Sequence, residues 1–463
     1  MKITRDEYGR ELLGPYYAGI ANPVSPCNPS DETKWTIGPY NIEENLKWIF
    51  KMLVLPGVIA ALIIGLLILN LFNNLISQIV SSVFSTIATF FIYIYSREKF
   101  LEAYHKIRGN EVLDPGLTEL NILKEDPEFS IGFVGDIMMM RGHELKFDPP
   151  IKKFFKDVPL IVGNLEGIIP EQNNSFAEQS HPEKILDQLV NLLKNDTEWL
   201  LCVSNNHSID FGNNKFFIST KTIQKPTKPG NQNKFNAFGR WDVPKVFVDD
   251  KFCISSATKW SNQNTWDCTS KFEDRKLEKY YCNGDKVKYN ILYPHWGYEN
   301  ERYTRRKIQR KAIELLTCKS QQIAEDKKKK WDLIFGHHPH TRQPVMVVKE
   351  VLKNLDRDNN KIVLKKLVAF SGGNLTSGVK FIRKKKHIHG IIMKCKIGPL
   401  LKSPNHYAVG EVEWLNTFNE KDGNIKTVKI GEGIADRTRI YIMLIGIAAF
   451  LIAFIPRILE LFP

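Results

Sequence analysis

The sequence predicts an α/β domain that is bordered by hydrophobic segments near both ends of the chain. Between about residues 97 and 436, short apolar runs rich in β-branched residues alternate with helical stretches. Several of these runs end in Asp, Asn, Glu or His, and open α/β sheets place their functional sites at the carboxyl ends of strands. Two nearly uncharged segments precede this region and a third follows it. The chain is therefore expected to combine one large folded domain with attachment to a membrane.

Five apolar runs predict strands, at residues 129–134, 160–163, 200–204, 289–293 and 333–336. Residues 182–195 and 302–322 predict helices. Residues 221–234 and 258–285 lack clear periodicity, so we expect them to form surface insertions. The sequence contains no internal repeat.

Hydrophobic runs at residues 49–69 and 75–95 predict a transmembrane helical hairpin over 48–96, after a polar tail at 1–47. Each run has roughly 20 residues, the length that a helix needs to cross a bilayer. A buried pair of soluble helices is the alternative. The run at 440–455 is shorter and predicts a third span within 437–463, with membrane association without spanning as its alternative. The domain between the spans then covers 97–436.

Basic residues flank the predicted spans on one side of the membrane. They are Lys47, Lys51, Arg97, Lys99, Arg437 and Arg439, whereas the hairpin turn has no charge. The positive-inside rule therefore predicts a multi-pass protein of the cell membrane whose tail and domain face the cytoplasm.

Charge and cysteine content narrow the classes of partner. Lys and Arg number 65 and Asp and Glu 51, a net charge of +14 that suits a polyanion, anionic lipid or only a solvated surface. The basic runs at 327–330 and 384–386 have no nucleic-acid-binding motif around them, so no nucleic-acid partner is predicted.

The seven cysteines are widely spaced and form no Cys-x-x-Cys pair, which favours a reducing compartment over a disulfide framework. Cys253, Cys268 and Cys282 share one segment and could include a bridge.

The predicted strands are followed by residues of the types that bind metal ions. They are Asp136, Glu166, Asn206 with His207 and Asp210, His295, and His337, His338 and His340. Carboxylate, amide and imidazole donors together favour Mn, Fe or Zn over Mg. Two such ions about 4 Å apart can clamp a phosphoester. Taken singly, each of these residues is more often a turn residue or a hydrogen-bonded structural one.

His338 and His340 flank Pro339, and alternate residues of an extended segment point to one side. We therefore expect both imidazoles to face one metal site. His337 is an additional histidine, which we expect to support the metal ligands without binding the ion.

The blocks GDIMMMR, VGNLEG, SNNHSIDFG, LYPHWGYE and FGHHPHTRQP follow one another along residues 129–376, together with AFSGGNL. Their order resembles the calcineurin-like metallophosphoesterases. More closely, the blocks are similar to those of the poly-γ-glutamate capsule-synthesis (CapA-type) proteins. The resemblance implies a layered β-sheet sandwich flanked by helices, and a domain displayed outside the cell.

The resemblance also implies roles for individual residues. The implied metal ligands are Asp136, Glu166 as the bridging acid, Asn206, His295, His338 and His340. The implied catalytic residues are His207, Asn206 and Asp210. Arg141 could clamp a substrate carboxylate or phosphate, with a surface ion pair as the alternative.

One position departs from the pattern of the phosphoesterases. Their first Asp is followed two residues later by His, and here that place holds Met138. A thioether is a poor ligand for a hard ion, so one of two metal positions is expected to be weak or missing. His143 is a possible substitute.

Three functions fit these observations. The first is a membrane component of poly-γ-glutamate or related anionic-polymer synthesis or export, working with other subunits because the chain has no phosphate-binding loop for ATP. The second is a membrane-bound metallophosphoesterase of lipid or nucleotide substrates. The third is a catalytically silent scaffold whose metal site only stabilises the fold.

Overall fold

A computed structural model describes residues 101–140, 143–172, 178–192, 197–224, 234–263, 268–282, 286–317, 331–355, 361–377, 388–419 and 424–428. The three predicted membrane spans and Arg141 lie outside these residues. Within the described ranges, no helix is long and apolar enough to cross a membrane.

The described residues form strands and short helices. The strands are β1 (Glu111–Leu113), β2 (Gly116–Glu119), β3 (Phe129–Ile137), β4 (Lys146–Phe147), β5 (Leu160–Leu165), β6 (Glu198–Cys202), β7 (Phe235–Phe238), β8 (Lys245–Val248), β9 (Phe252–Thr258), β10 (Tyr289–His295), β11 (Leu333–Phe335), β12 (Val345–Leu355), β13 (Lys361–Ala369), β14 (Asn374–Thr376), β15 (His389–Leu400), β16 (Ser403–Asn419) and β17 (Asn424–Val428). The helices are α1 (Pro149–Phe154), α2 (Lys184–Val190), α3 (Asn213–Ile223), α4 (Asp274–Tyr280) and α5 (Arg306–Leu316).

These strands build two mixed sheets. The larger runs in the order β4-β17-β16-β15-β3-β5-β6-β7, with β14 paired to β3 and β2 to β16. Strands β3, β5, β6 and β7 are parallel, whereas β15 is antiparallel to β3. The smaller sheet runs β1-β12-β13-β11-β10-β9-β8, and its central strands β13, β11, β10 and β9 are parallel. Each sheet therefore contains a block of four parallel strands, whose carboxyl ends point the same way.

The two sheets pack face to face around a shared apolar core. Alternate residues of each strand point into it, since side chains alternate across a strand. Phe133 of β3 stacks on Phe335 of β11 with ring centroids 5.1 Å apart. Tyr293 of β10 donates a hydrogen bond from its hydroxyl to the carbonyl of Val134, at 2.6 Å. These contacts hold β3 against the centre of the smaller sheet.

Helices cover both outer faces. Phe154 of α1, Leu189 of α2 and Phe216 of α3 pack on the outward-facing residues of the larger sheet. Leu277 of α4 and Ala312 of α5 do the same for the smaller sheet. The predicted α/β class is confirmed, as two mixed sheets with helices outside them.

The predicted strands correspond to β3, β5, β6, β10 and β11, and the two predicted helices are the shorter α2 and α5. The prediction that 258–285 is a surface insertion is wrong for its described part. That part contains α4, and Trp260 and Ser270 are buried within it. The stretch was missed because α4 buries only Leu277 and Tyr280, too few residues for a visible period.

Four cysteines of the described residues are free and buried, namely Cys202, Cys253, Cys282 and Cys395. Cys268 is disulfide-bonded. The preference for free thiols therefore holds for these four positions and fails at Cys268.

Candidate metal centre

The predicted site residues of the two sheets meet at the carboxyl ends of their parallel strands. In the larger sheet, Asp136 of β3 is paired with Asn164 of β5 on one side and with Asn374 of β14 on the other. In the smaller sheet, His295 at the end of β10 forms an isolated bridge with His337, which follows β11. Asp136 Oδ1 lies 3.3 Å from His337 Nδ1. Contacts between side chains thus join the two sheets at this edge.

Two groups of side chains could hold a metal ion, and both are buried. Asp136, Glu166, His295 and His337 form the first group, and Glu166, His338 and His340 the second. Within each group the ligand atoms all lie within 4.8 Å of one another. Glu166 is common to both groups. His337, expected only to support the ligands, is a member of the first group.

The two carboxylates are held by a neighbouring amide. Asn164 Nδ2 donates to Asp136 Oδ1 at 2.8 Å and also to Glu166 Oε2. The amide of Asn205 donates to Asn164 Oδ1 at 3.1 Å and so fixes its orientation. Asp136 and Glu166 are fully buried. Asn164 and Asn205 therefore set the carboxylate positions before any ligand enters.

The ionisation of the two carboxylates differs. Burial raises the pKa of Glu166 to about 8, and the negative charge of Asp136 adds to this effect. Burial would also raise the pKa of Asp136, but hydrogen bonds from His337 and His340 outweigh it and hold that pKa well below its usual value. Without an ion, the pair therefore carries one negative charge at neutral pH.

The histidines also divide into two kinds. Burial, reinforced by neighbouring imidazoles, lowers the pKa values of His295 and His338 well below normal. Burial likewise lowers the pKa of His337, against the pull of Asp136. At His340 the hydrogen bond and charge of Asp136 overcome burial and raise the pKa to about 10. Three imidazoles are thus neutral, the form that coordinates metal ions.

The donor atoms of the centre fit a cation. Glu166 Oε1, His337 Nε2 and both ring nitrogens of His338 are buried and have no hydrogen-bond partner among the described residues. Buried polar atoms are nearly always partnered, because each unpartnered one costs about 1–3 kcal/mol. A carboxylate oxygen and several neutral imidazoles lack an electropositive partner at the same place, which is what a divalent ion would supply.

The histidine segment after β11 is not extended, so the expected alternation of His338 and His340 is wrong. His338 has φ +100° and His340 has φ +55°, both in the region that favours glycine. The two rings nevertheless lie near each other, with centroids 5.9 Å apart. Asp136 Oδ2 accepts a hydrogen bond from the backbone N–H of His338 at 3.2 Å, which helps to hold this strained conformation.

His207 lies at the rim of the centre and belongs to neither metal-capable group. Its Nδ1 is 2.6 Å from Asp210 Oδ2. Burial would lower the pKa of His207, but the charge and hydrogen bond of Asp210 raise it above the usual value. The side chain is about one-tenth exposed. Asp210 thus favours the protonated form of this imidazole and fixes its orientation.

Asn206 and Asn262 connect His207 to the metal-capable groups. Asn206 Oδ1 is 2.8 Å from His295 Nε2, and Asn206 Nδ2 donates to Asn262 Oδ1 at 3.0 Å. Asn262 Nδ2 in turn lies 3.4 Å from Asp210 Oδ1. One continuous hydrogen-bond path therefore runs from His295 to the His207–Asp210 pair.

Met138 and His143 take no part in either metal-capable group. Met138 is buried, and its carbonyl accepts a hydrogen bond from Thr376 Oγ1 at 2.7 Å. The position two residues after Asp136 is therefore occupied by a buried apolar side chain.

Several residues of the site were not assigned a role from the sequence. Asn164, Asn205 and Asn374 stand inside motif blocks, so their position was a usable signal. Asn374 Oδ1 lies 3.1 Å from His340 Nδ1. Asn262 is in no block and reaches the site through its backbone N–H, which donates to the carbonyl of Asn206 at 3.0 Å.

A scan against protein-family models finds no match to this chain, and a search of curated proteins finds no similar one.

Proposed function

We propose that this chain is a membrane-anchored, metal-dependent protein of the CapA type, with a metallophosphoesterase-like domain that acts in the synthesis or export of poly-γ-glutamate or a related anionic polymer. The observation that carries the proposal is the set of unpartnered, buried donors on Glu166, His337 and His338, beside the ionised Asp136. The order of the motif blocks along the chain supports the family assignment.

The proposed ligands are Asp136, Glu166, Asn206, His295, His338 and His340, with His337 added because it belongs to the first metal-capable group. The mixture of imidazole and oxygen donors suits Mn, Fe or Zn more than Mg. We expect closer to one ion than two per chain, because Met138 stands where the second imidazole would be.

When bound, a divalent ion would polarise a phosphoryl or carbonyl oxygen and neutralise charge that develops on it. The chain's own residues would orient the substrate and move a proton. Asp210 favours the protonated form of His207, whose Nε2 would deliver a proton to a leaving group. Through their hydrogen bonds, Asn206 and Asn262 hold that imidazole at a fixed position relative to His295.

The direct test is elemental analysis of the full-length protein purified without chelator, combined with a phosphodiester hydrolysis assay. About one Mn, Fe or Zn per chain with metal-dependent hydrolysis is the expected result. If the protein binds a metal ion but hydrolyses no phosphoester, the scaffold function is the one that remains. If the protein binds no metal ion even when metal is added, the metal centre itself is refuted. Rapid hydrolysis of lipid or nucleotide phosphodiesters would instead favour the membrane-bound phosphoesterase.

Membrane attachment and orientation are part of the proposal. Ile122 is 74% exposed, whereas the free cysteines of the described residues are buried. Ile122→Cys therefore provides a site for an impermeant thiol reagent. The basic residues beside the hydrophobic runs predict no labelling in intact cells. Labelling before lysis would place the domain outside, as the disulfide at Cys268 favours.

A further inference from the structure

Two arginines lie on adjacent segments beside the metal-capable groups. The segment after His340 is fixed to the segment around Glu301 by two hydrogen bonds. Thr341 Oγ1 and Gln343 Nε2 both donate to the carbonyl of Glu301, at 2.6 and 2.8 Å. Arg342 lies between these two donors in sequence, and Arg302 directly follows Glu301. Arg302 and Arg342 therefore lie on two segments of the chain that are hydrogen-bonded to each other.

The other side of Arg342 is formed by the segments that complete the metal centre. Arg342 forms an isolated bridge with Gly372, and Gly373 forms one with Gly390. His389 precedes Gly390, and Asn374, which lies near His340, follows Gly373. The segment that carries Arg342 thus also carries His340, and the segment bridged to it carries Asn374.

No acidic side chain neutralises these two arginines. Arg342 is partly buried and Arg302 is exposed, and neither guanidinium has a hydrogen bond or ion pair with any described residue. Their neighbour Arg305 differs, because its Nε lies 2.9 Å from Glu301 Oε2 and its Nη2 lies 2.5 Å from Glu301 Oε1. Arg305 is therefore neutralised by Glu301, whereas Arg302 and Arg342 are not.

The charges of both arginines also act on one neighbouring side chain, His389. Burial, followed by the charges of Arg342 and Arg302, lowers the pKa of His389 to about 4. The buried Nδ1 of His389 has no hydrogen-bond partner. Neighbouring like charges repel, and an anion placed between them would relieve that repulsion.

We propose that Arg302 and Arg342 form an anion-binding subsite that takes a carboxylate or phosphate group of a chain-like anionic substrate while a neighbouring group of that substrate reaches the metal centre. The guanidinium fork matches both oxyanions in a bidentate geometry. His340 and Arg342 are two positions apart, a span of at most about 7 Å between their Cα atoms, so one ligand with several anionic groups can contact both places. This proposal rests on the proposed function for the nature of the polymer.

The test is anion binding by the full-length protein in detergent, measured by the fluorescence anisotropy of labelled γ-linked hexaglutamate and by competition with tripolyphosphate. We expect the double substitution Arg302→Gln and Arg342→Gln to weaken binding at least about tenfold and to reduce its dependence on salt. Lys307→Gln with Arg310→Gln removes the same charge from exposed positions of α5 and is the matched control. Arg302→Gln alone, at an exposed position, provides a variant with little risk to folding.

If the double substitution weakens the binding of hexaglutamate only, the ligand of the subsite is a carboxylate polymer. If it weakens the binding of tripolyphosphate only, the ligand is a phosphate chain. The subsite is overturned if the α5 control loses as much binding affinity as the arginine variant, or if the arginine variant loses none. It is also overturned if the wild-type protein binds neither probe. Metal content is measured in every sample. A chain without metal whose anion binding still depends on the two arginines would refute the proposed function and leave the subsite standing.

Discussion

The Oδ2 atom of Asp136 lies 3.1 Å from Nδ1 of His340, although 204 residues separate them. This contact forms a buried ion pair between the two sheets, since it raises the pKa of His340 to about 10. A cation that binds here must compete with the proton of His340 and with that of Glu166, whose pKa burial and Asp136 raise to about 8.

Metal binding should therefore release protons and strengthen as the pH rises from 6 to 8. Each displaced proton contributes about tenfold in affinity per pH unit below its pKa. Calorimetric titration of the metal-free protein in buffers of different ionisation enthalpy counts the protons. Glu166→Gln should release one fewer proton. An affinity that is constant over this range would show that neither group must deprotonate.

Glu166→Gln should also remove more bound metal than any single histidine substitution, because Glu166 belongs to both metal-capable groups. His338→Ala, at the residue with two unpartnered nitrogens, should rank next. Elemental analysis gives the metal-to-protein ratio. Glu411→Gln is the control, since that carboxylate only pairs with Lys396 at the surface. Retention of the wild-type ratio in Glu166→Gln would remove this residue from the ligands.

Asp210→Asn should lower the pKa of His207, because the charge that raises it is removed. In a phosphodiester assay, the pH above which activity declines should fall, and the rate at pH 8 should drop by about tenfold or more. Asn262→Ala should reduce the rate through misplacement of the same imidazole. Metal content should stay unchanged in both variants. An unaltered pH profile would separate Asp210 from catalysis.

Gly135→Ala should destabilise the fold and disrupt the site together. An added methyl group would lie 1.9 Å from the carbonyl oxygen of Gly373. This oxygen belongs to the backbone, so no side-chain rotation can relieve the clash. That carbonyl accepts the N–H of Asp136, so the strain falls on the first predicted ligand. We expect a loss of about 3 kcal/mol or more in the free energy of unfolding. Gly398→Ala, which meets only a leucine side chain at 3.2 Å, is the control for urea unfolding.

The strands that carry the site could be predicted because each is a short apolar run that is buried on both faces. β3 and β5 are of this kind. β15 and β16 were not predicted, although they are the longest strands described. Their pairing joins distant residues and includes register shifts, which a local pattern does not specify.

The residue types of the centre were visible in the sequence, but their conformations were not. Positive φ values at His338 and His340 depend on contacts from β3, which no local preference of histidine encodes. Asn262 was missed for a similar reason. It lies in a stretch without periodicity and is located by a hydrogen bond to a residue 56 positions away.

Because the centre is assembled from both sheets, its donors cannot come together on the ribosome until the chain has been made at least as far as His340. Asp136 leaves the ribosome long before His340, and at about 5–20 residues per second the interval is tens of seconds at the slower rates. An ion captured afterwards would tie the two sheets to each other. Removal of the ion should then loosen the entire sandwich, and the supply of metal during biosynthesis would influence how much of the protein survives quality control.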